Sequence, residues 1–299
     1  MTAPPGPPAP PHLPAGLRER VLAASLQTRP AGQPEPPAPV ISAAEAFRRT
    51  VEALDHLLGQ LSEADWQRPA LRDLTVQGLV GHLAGVEEDM QRCLAGDPAV
   101  AGADHVASTQ PAADRQAGQP PAATRAEWRR AADRTLSLAE AATEPATTGP
   151  AATGPGIYEL HSMQLPLDAM LIVRAFEVWT HDADIRRAAG RPPAAPDPAT
   201  LHLMTGLVAV GLPIGAGRTG LAERISVHLV LTGPGGGTWD VTIGAGSHDP
   251  APVRVVADAV SFCRLVASRL APDGLGAEAT GQPGQVTGVL AAAAALGLD

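Results

Sequence analysis

Residues 166–190, PLDAMLIVRAFEVWTHDADIRRAAG, decide the fold of this chain. They predict one long helix, because proline favours a helix start, and glycine and basic residues favour a helix end. Apolar residues border its polar stripe on both sides, as in a buried helix. Buried ionisable groups need one another or a metal ion, so this stripe is the predicted functional site. At 100° per residue, four ionisable side chains lie within about 80° of one another on the stripe: Arg174, Glu177, His181 and Asp184.

A second predicted helix supplies a matching histidine. The run TVQGLVGHLAGVEEDMQRCLAG (75–96) has a helical apolar period after the N-cap Thr75, and His82 lies at the border of its apolar face. With Glu177 and His181, His82 forms a set of two histidines and a carboxylate, which can hold catalytic Zn²⁺ with one position open. Fe²⁺, Mn²⁺ or Ni²⁺ could also occupy it. Taken alone, His82 is also compatible with a boundary histidine, and Glu177–His181 with an ordinary helix pair. Three glycines on the other side of this helix allow a helix or ligand to approach its backbone: Gly78, Gly81 and Gly85.

Two further helices complete a predicted four-helix bundle. The first begins at Ser42, an N-cap that forms a capping box with Glu45, and continues to about residue 61. Another spans about 125–142, and the segment 97–124, rich in Ala, Pro, Gly and Gln, predicts a long mobile loop. Bundles of this type build sites from inward-facing side chains of different helices.

The sequence changes character after residue 190. The segment 191–199 predicts a linker, and 200–299 predicts a small α+β domain. Its elements are a helix at 200–210, a hairpin of strands 224–231 and 238–243 around GPGGG, a third strand at 253–256, and helices at 257–270 and 286–296. We therefore expect a mainly α chain: a bundle at 41–190 followed by an α+β part.

Composition narrows the class of protein. Residues 1–40 contain 12 of the 31 prolines and predict a disordered tail, with a short helix at 17–27.

The net charge of −9 argues against nucleic-acid and anionic-membrane partners. We find no secretory signal and expect no apolar run of membrane-spanning length. Two cysteines, Cys93 and Cys263, form no disulfide framework, so we expect a cytoplasmic protein, as a monomer or small homo-oligomer.

The two helical runs resemble a known family. LTVQGLVGHLAGVEEDM (74–90) and RAFEVWTHDADIRRAAGRP (174–192) are similar to the mycothiol-dependent maleylpyruvate isomerase family, whose N-terminal domain is a DinB-like metal-binding four-helix bundle. The resemblance implies that His82, Glu177 and His181 are ligands of a metal, usually zinc. It also implies a low-molecular-weight thiol, mycothiol or a similar one, as cosubstrate. The metal would activate this thiol for cis/trans isomerisation of, or transfer to, a small carboxylate or electrophile.

The resemblance extends to the C-terminal part through RVVADAVSFCRLVASRLAP (254–272). It implies that Arg269, and less closely Arg264, faces the metal cleft and binds thiol or substrate. Where the family has a glycine before that arginine this chain has Ser268, and Gln282 replaces an acidic residue. We assign catalytic roles to Arg269, to Arg174 and to Asp184, the last two as groups that orient the metal ligands. A salt bridge along the helix is the alternative for Arg174 and Asp184.

Three function classes remain open from the sequence. The first is a thiol-dependent isomerase or transferase. A second is a metal-binding regulatory or binding module without catalysis, since a fold does not imply a function. A third is a hydrolase that uses metal-activated water. Among the other histidines, His161 precedes the long helix closely enough to reach the mouth of the site, although a surface or packing role is the usual one. Asp89 lies on nearly the same face of its helix as His82.

Overall fold

The computed structural model describes residues 38–143, 156–246 and 252–297. The predicted disordered tail, apart from its last three residues, and the short helix at 17–27 lie outside the described residues. From residue 38 onward the chain forms one compact unit. The boundary that we placed at 191–199 stays a prediction.

Four long helices form the N-terminal bundle. The first packs against the last, and the second against the third. The long helix predicted from residues 166–190 is present, and residues on almost every side of it are buried. The elements of this part are α1 (Ala43–Leu58), α2 (Glu63–Trp66), β1 (Pro69–Leu71), β2 (Leu74–Thr75), α3 (Val76–Leu94), α4 (His105–Gln116), α5 (Pro121–Thr143), β3 (Ile157–Leu160), β4 (Met163–Pro166) and α6 (Leu167–Ala188).

The helix starts follow the predicted caps, with one exception. Thr75 Oγ1 accepts a hydrogen bond from the backbone N–H of Gly78 at 3.2 Å. Ser42 Oγ accepts from the backbone N–H of Glu45 at 3.1 Å. The predicted capping box is incomplete, because the Glu45 carboxylate binds arginines of the next turn instead, with Arg49 Nε at 2.7 Å.

The segment predicted as a mobile loop, 97–124, contains helix α4, and the prediction was wrong. Asp104 caps this helix by accepting from the backbone N–H of Ala107 at 2.8 Å. The helix lacks a strong apolar stripe of its own and packs directly on the glycine face of α3. A Cβ added to Gly81 would lie 2.9 Å from Ala113 Cα, and one added to Gly85 would lie 2.8 Å from Ala112 Cβ. The glycines of α3 therefore admit a helix.

We expect Gly85→Ala to destabilise the protein and to push α4 away from α3. The new methyl group would also lie 3.1 Å from Thr109 Cα, and overpacking of this kind costs about 1–3 kcal/mol. Thermal unfolding measures the loss. Gly206→Ala is the matched control, because it lies in a helix with nothing within 4 Å of the new Cβ. That substitution should stabilise the protein by up to about 1 kcal/mol. Equal effects at both positions would contradict the close approach.

The C-terminal part is a four-stranded sheet covered by helices, which confirms the predicted α+β class. The sheet order is β6-β5-β7-β8, with β5 antiparallel to β6, parallel to β7, and β7 antiparallel to β8. Alternate residues of β5 are buried, as its period of two predicts. The elements are α7 (Pro198–Arg218), β5 (Ile225–Thr232), β6 (Gly237–Ile243), β7 (Val253–Asp258), α8 (Ala259–Val266), β8 (Glu278–Thr280) and α9 (Pro283–Ala294).

Two predicted helix ends in this part were wrong, and one strand was missed. The helix predicted at 200–210 runs on past Pro213 to Arg218, since its apolar residues continue to pack. Strand β8 was missed because it is only three residues long and exposed. The helix predicted at 257–270 ends at Val266, and Ser268 takes a left-handed φ of 56°, a conformation that favours glycine at a helix end.

One described helix, α7, is long and apolar enough to pass a length-and-composition test for a membrane span. This finding corrects the expectation that no apolar run approaches that length. Of its most apolar window, 56% is buried inside the protein. A helix packed in a protein core passes the same test, so the observation is weak evidence for a membrane.

Candidate metal centre

Three side chains from three helices converge on one point inside the bundle. His82 of α3, His105 of α4 and Glu177 of α6 each offer a ligand atom, and these atoms lie within 4.8 Å of one another. His82 Nε2 is 3.5 Å and His105 Nε2 is 3.4 Å from Glu177 Oε1. His181 Nε2 of α6 is 4.0 Å from the same oxygen. In a tetrahedral zinc site with bonds of about 2.1 Å, neighbouring ligand atoms lie about 3.4 Å apart.

Hydrogen bonds on the far side of the rings fix the tautomers of His82 and His181. Asp184 Oδ2 can only accept from His181 Nδ1, at 3.2 Å. Thr109 Oγ1 donates to the carbonyl of His105 at 2.8 Å and therefore accepts from His82 Nδ1 at 2.7 Å. When each ring carries its one proton on Nδ1, Nε2 has a lone pair directed at the Glu177 carboxylate. Burial lowers the pKa of His82 to about 4, which keeps this ring neutral.

The donor set has the chemistry of a cation site. Among the residues that the structure describes, Glu177 Oε1 and His181 Nε2 are buried and have no hydrogen-bond partner. Buried polar atoms are costly when unpaired, and lone pairs that face one another repel. A divalent cation would satisfy these atoms together, so the residues fit a metal with nitrogen and oxygen ligands.

A buried arginine holds the second carboxylate oxygen of the site. Arg174 of α6, 1% exposed, contacts Glu177 Oε2, and its Nη2 donates to Glu87 Oε1 at 2.6 Å. Burial alone would raise the pKa of Glu177, but the buried Arg174 guanidinium holds it well below its ordinary value. The two carboxylates and one guanidinium leave a formal charge of −1, which favours a cation at the centre. Arg174 and Asp184 each form an ion pair along the helix, the alternative that the sequence left open: Arg174 with Glu177, and Asp184 with Arg187, whose Nη2 lies 2.9 Å from Asp184 Oδ1.

Asp184 connects His181 to the C-terminal part. Besides accepting from His181, Asp184 binds Arg269, whose Nη2 lies 2.7 Å from Oδ2. Asp184 thus links Arg269 to the predicted ligand His181, because it accepts hydrogen bonds from both. A cavity of about 480 Å³ opens beside this pair and contains four arginines. They are Arg187, Arg191, Arg264 and Arg269.

A second cavity lies beside His82. It has a volume of about 430 Å³ and is lined by His82, by the turn between β1 and β2, and by one face of α4. Arg72 lies in that turn with a left-handed φ of 50°. Small molecules can therefore approach His82 along this path.

His105 was not among the predicted site residues, because it lies in the segment assigned to a loop. Its one local signal is Asp104, an N-cap residue directly before it. The side chain of His161 is buried rather than at the surface, and its Nδ1 lies 3.0 Å from His105 Nδ1. Asp89 accepts from His161 Nε2 at 3.0 Å.

Comparison with known proteins identifies the bundle. Residues 47–186 match the family described as the mycothiol maleylpyruvate isomerase N-terminal domain. The crystal structure of a mutant of the mycothiol-dependent maleylpyruvate isomerase has the same fold, with a TM-score of 0.50 and 16% identity. The match covers 79% of this chain and 91% of that one. No curated protein sequence matches the chain. Residues 47–186 are therefore similar to the family of the mycothiol maleylpyruvate isomerase N-terminal domain, as the sequence resemblance predicted.

Proposed function

We propose that this protein is a metal-dependent enzyme that uses a low-molecular-weight thiol to isomerise, or to transfer to, a small carboxylate. The observation that carries the proposal is the convergence of His82, Glu177 and further histidines on one buried point beside two cavities. Zinc is the metal that we propose, because nitrogen and carboxylate ligands at this spacing suit it. Mycothiol, or a thiol like it, is the proposed cosubstrate.

The residues of the chain have separate tasks in this proposal. His82, Glu177 and His181 hold the metal, as the sequence predicts. Arg174 keeps Glu177 ionised and Asp184 orients His181, so both act as positioning residues. When bound, the metal lowers the pKa of a coordinated thiol so that the thiolate forms at neutral pH.

The arginine-lined cavity is the proposed site for the substrate carboxylates. Guanidinium groups bind carboxylates through paired hydrogen bonds, and four arginines surround one acidic residue there, Asp184. Arg269 already donates to Asp184 and to the carbonyl of Ala267 at 2.8 Å, so in this state it braces His181. Arg264 lines the same cavity, and we propose that it contacts thiol or substrate.

A cobalt-substituted protein tests the thiol function. We expect a low-molecular-weight thiol to add a sulfur-to-cobalt charge-transfer band, because thiolate binds the metal directly. Visible absorption during a thiol titration measures this change, with His82→Ala as the control that should show no such band. An unchanged spectrum at saturating thiol would contradict the proposal and would leave the metal-activated-water hydrolase as the better candidate.

A further inference from the structure

The imidazole of His105 is aligned as strictly as those of His82 and His181. Asp89 accepts from His161 Nε2 at 3.0 Å, and in the tautomer with its one proton on that nitrogen the His161 ring presents a lone pair at Nδ1. His105 Nδ1 lies 3.0 Å from that atom and donates to it in this tautomer. The lone pair of His105 is therefore on Nε2, the atom that lies 3.4 Å from Glu177 Oε1.

Three imidazoles then lie around one carboxylate oxygen. Nε2 atoms of His105, His82 and His181 lie 3.4, 3.5 and 4.0 Å from the carboxylate oxygen Glu177 Oε1. Zinc sites with three protein ligands keep one position open, whereas sites with four are closed. We propose that His105 is a fourth protein ligand that closes the metal site, so that a thiol binds only by displacing it. This inference rests on the proposed function, since it concerns access to the same metal.

His105 is the ligand best placed to leave. Its side chain is 25% exposed, whereas those of His82 and His181 are 8% and 2% exposed. It is the first residue of α4, a helix of 12 residues with a proline inside. His181, in contrast, lies within the 22-residue helix α6 and is braced by Asp184.

The hydrogen-bonding partner of His105 is itself anchored to the fold. His161 lies in the tight turn between β3 and β4 with a left-handed φ of 49°, and its backbone N–H donates to the Val100 carbonyl at 3.0 Å. On this proposal His105 Nε2 would occupy the fourth position of a bound metal and would give it up to the sulfur of an incoming thiol, whose proton would be released to solvent.

Metal affinity and thiol affinity of the full chain test this inference together. Zinc competition with a chelator should show that His105→Ala binds zinc at least about tenfold more weakly, as loss of even an outer partner of a ligand does. In the cobalt-loaded proteins, we follow the change in visible absorption during a 2-mercaptoethanol titration. The concentration that gives half of this change should be at least about tenfold lower in His105→Ala, because the thiol no longer competes with an imidazole. His105→Gln is a second variant, whose amide keeps a hydrogen-bonding group on α4. His202→Ala, an exposed histidine of α7, is the control.

The outcomes separate this inference from the proposed function. Unchanged zinc affinity and an unchanged 2-mercaptoethanol midpoint in both His105 variants would overturn the fourth-ligand assignment. Loss of zinc affinity in His105→Ala but not in His181→Ala would also overturn it, since His105 would then replace His181 as the third ligand. Zinc affinity that survives His82→Ala would instead refute the metal site itself.

Discussion

His82→Ala is expected to lower bound metal from about one ion per chain to well below one. His82 Nε2 lies 3.5 Å from Glu177 Oε1 and is directed at it by Thr109. Its removal takes away the ligand of α3 and leaves the donors of α4 and α6. Loss of an outer partner alone costs about 10–100-fold in metal affinity, and loss of a ligand should cost at least as much. Elemental analysis of the purified protein measures the metal content.

The control for this experiment is a histidine outside the centre. His202 is exposed on α7, and its Nδ1 contacts the Gly236 carbonyl at 3.1 Å. His202→Ala should retain the metal content of the unmodified protein. Full metal retention in His82→Ala, with the same content in the control, would rule out the centre that we describe.

Arg174→Met is expected to destabilise the protein by about 3–5 kcal/mol, the cost of breaking a buried ion pair from one side. Methionine fills much of the volume but leaves Glu87, which is fully buried, facing Glu177 with no positive charge between them. Chemical denaturation of the metal-free protein measures the free energy of unfolding. The metal-free state is the right reference, since a bound cation would partly replace the missing charge.

An exposed arginine pair gives the matched control for Arg174. Arg115 of α4 binds Glu88 of α3, and both side chains are about half exposed. Exposed pairs contribute about 0–1 kcal/mol, so Arg115→Met should change the free energy of unfolding by less than about 1 kcal/mol. If Arg174→Met had an equally small effect, the Arg174 network would not be an important part of the core.

Much of the bundle was predictable because its helices carry local signals. Caps such as Ser42 and Thr75 and apolar residues every three to four positions fix α1 and α3 without reference to the rest of the chain. The polar stripe of α6 is bordered by apolar residues on both sides, which predicted that its side chains are buried. The residues of that stripe are at most 5% exposed in the structure. Strand alternation predicted β5 and β6 for the same local reason.

Helix α4 was not predictable in this way. Its residues, HVASTQPAADRQ, contain an internal proline and no strong apolar stripe. It forms a helix because it packs against α3, where Gly81 and Gly85 leave room for its backbone. Such a contact joins residues far apart in the chain, and no local period reports it.

The sequence by itself determined which residues could share a helix face, and therefore the pair Glu177 and His181 and the candidate partner His82. Only the tertiary structure decided that His105 joins them, that Asp89 and His161 orient it, and that Arg174 turns to Glu87. The physical reason is that helix periodicity is a local property of consecutive residues, whereas a ligand set depends on the packing of separate helices. The glycine face of α3 links the local sequence to the packing of helices, because the absence of side chains on this face allows a helix from elsewhere in the chain to approach.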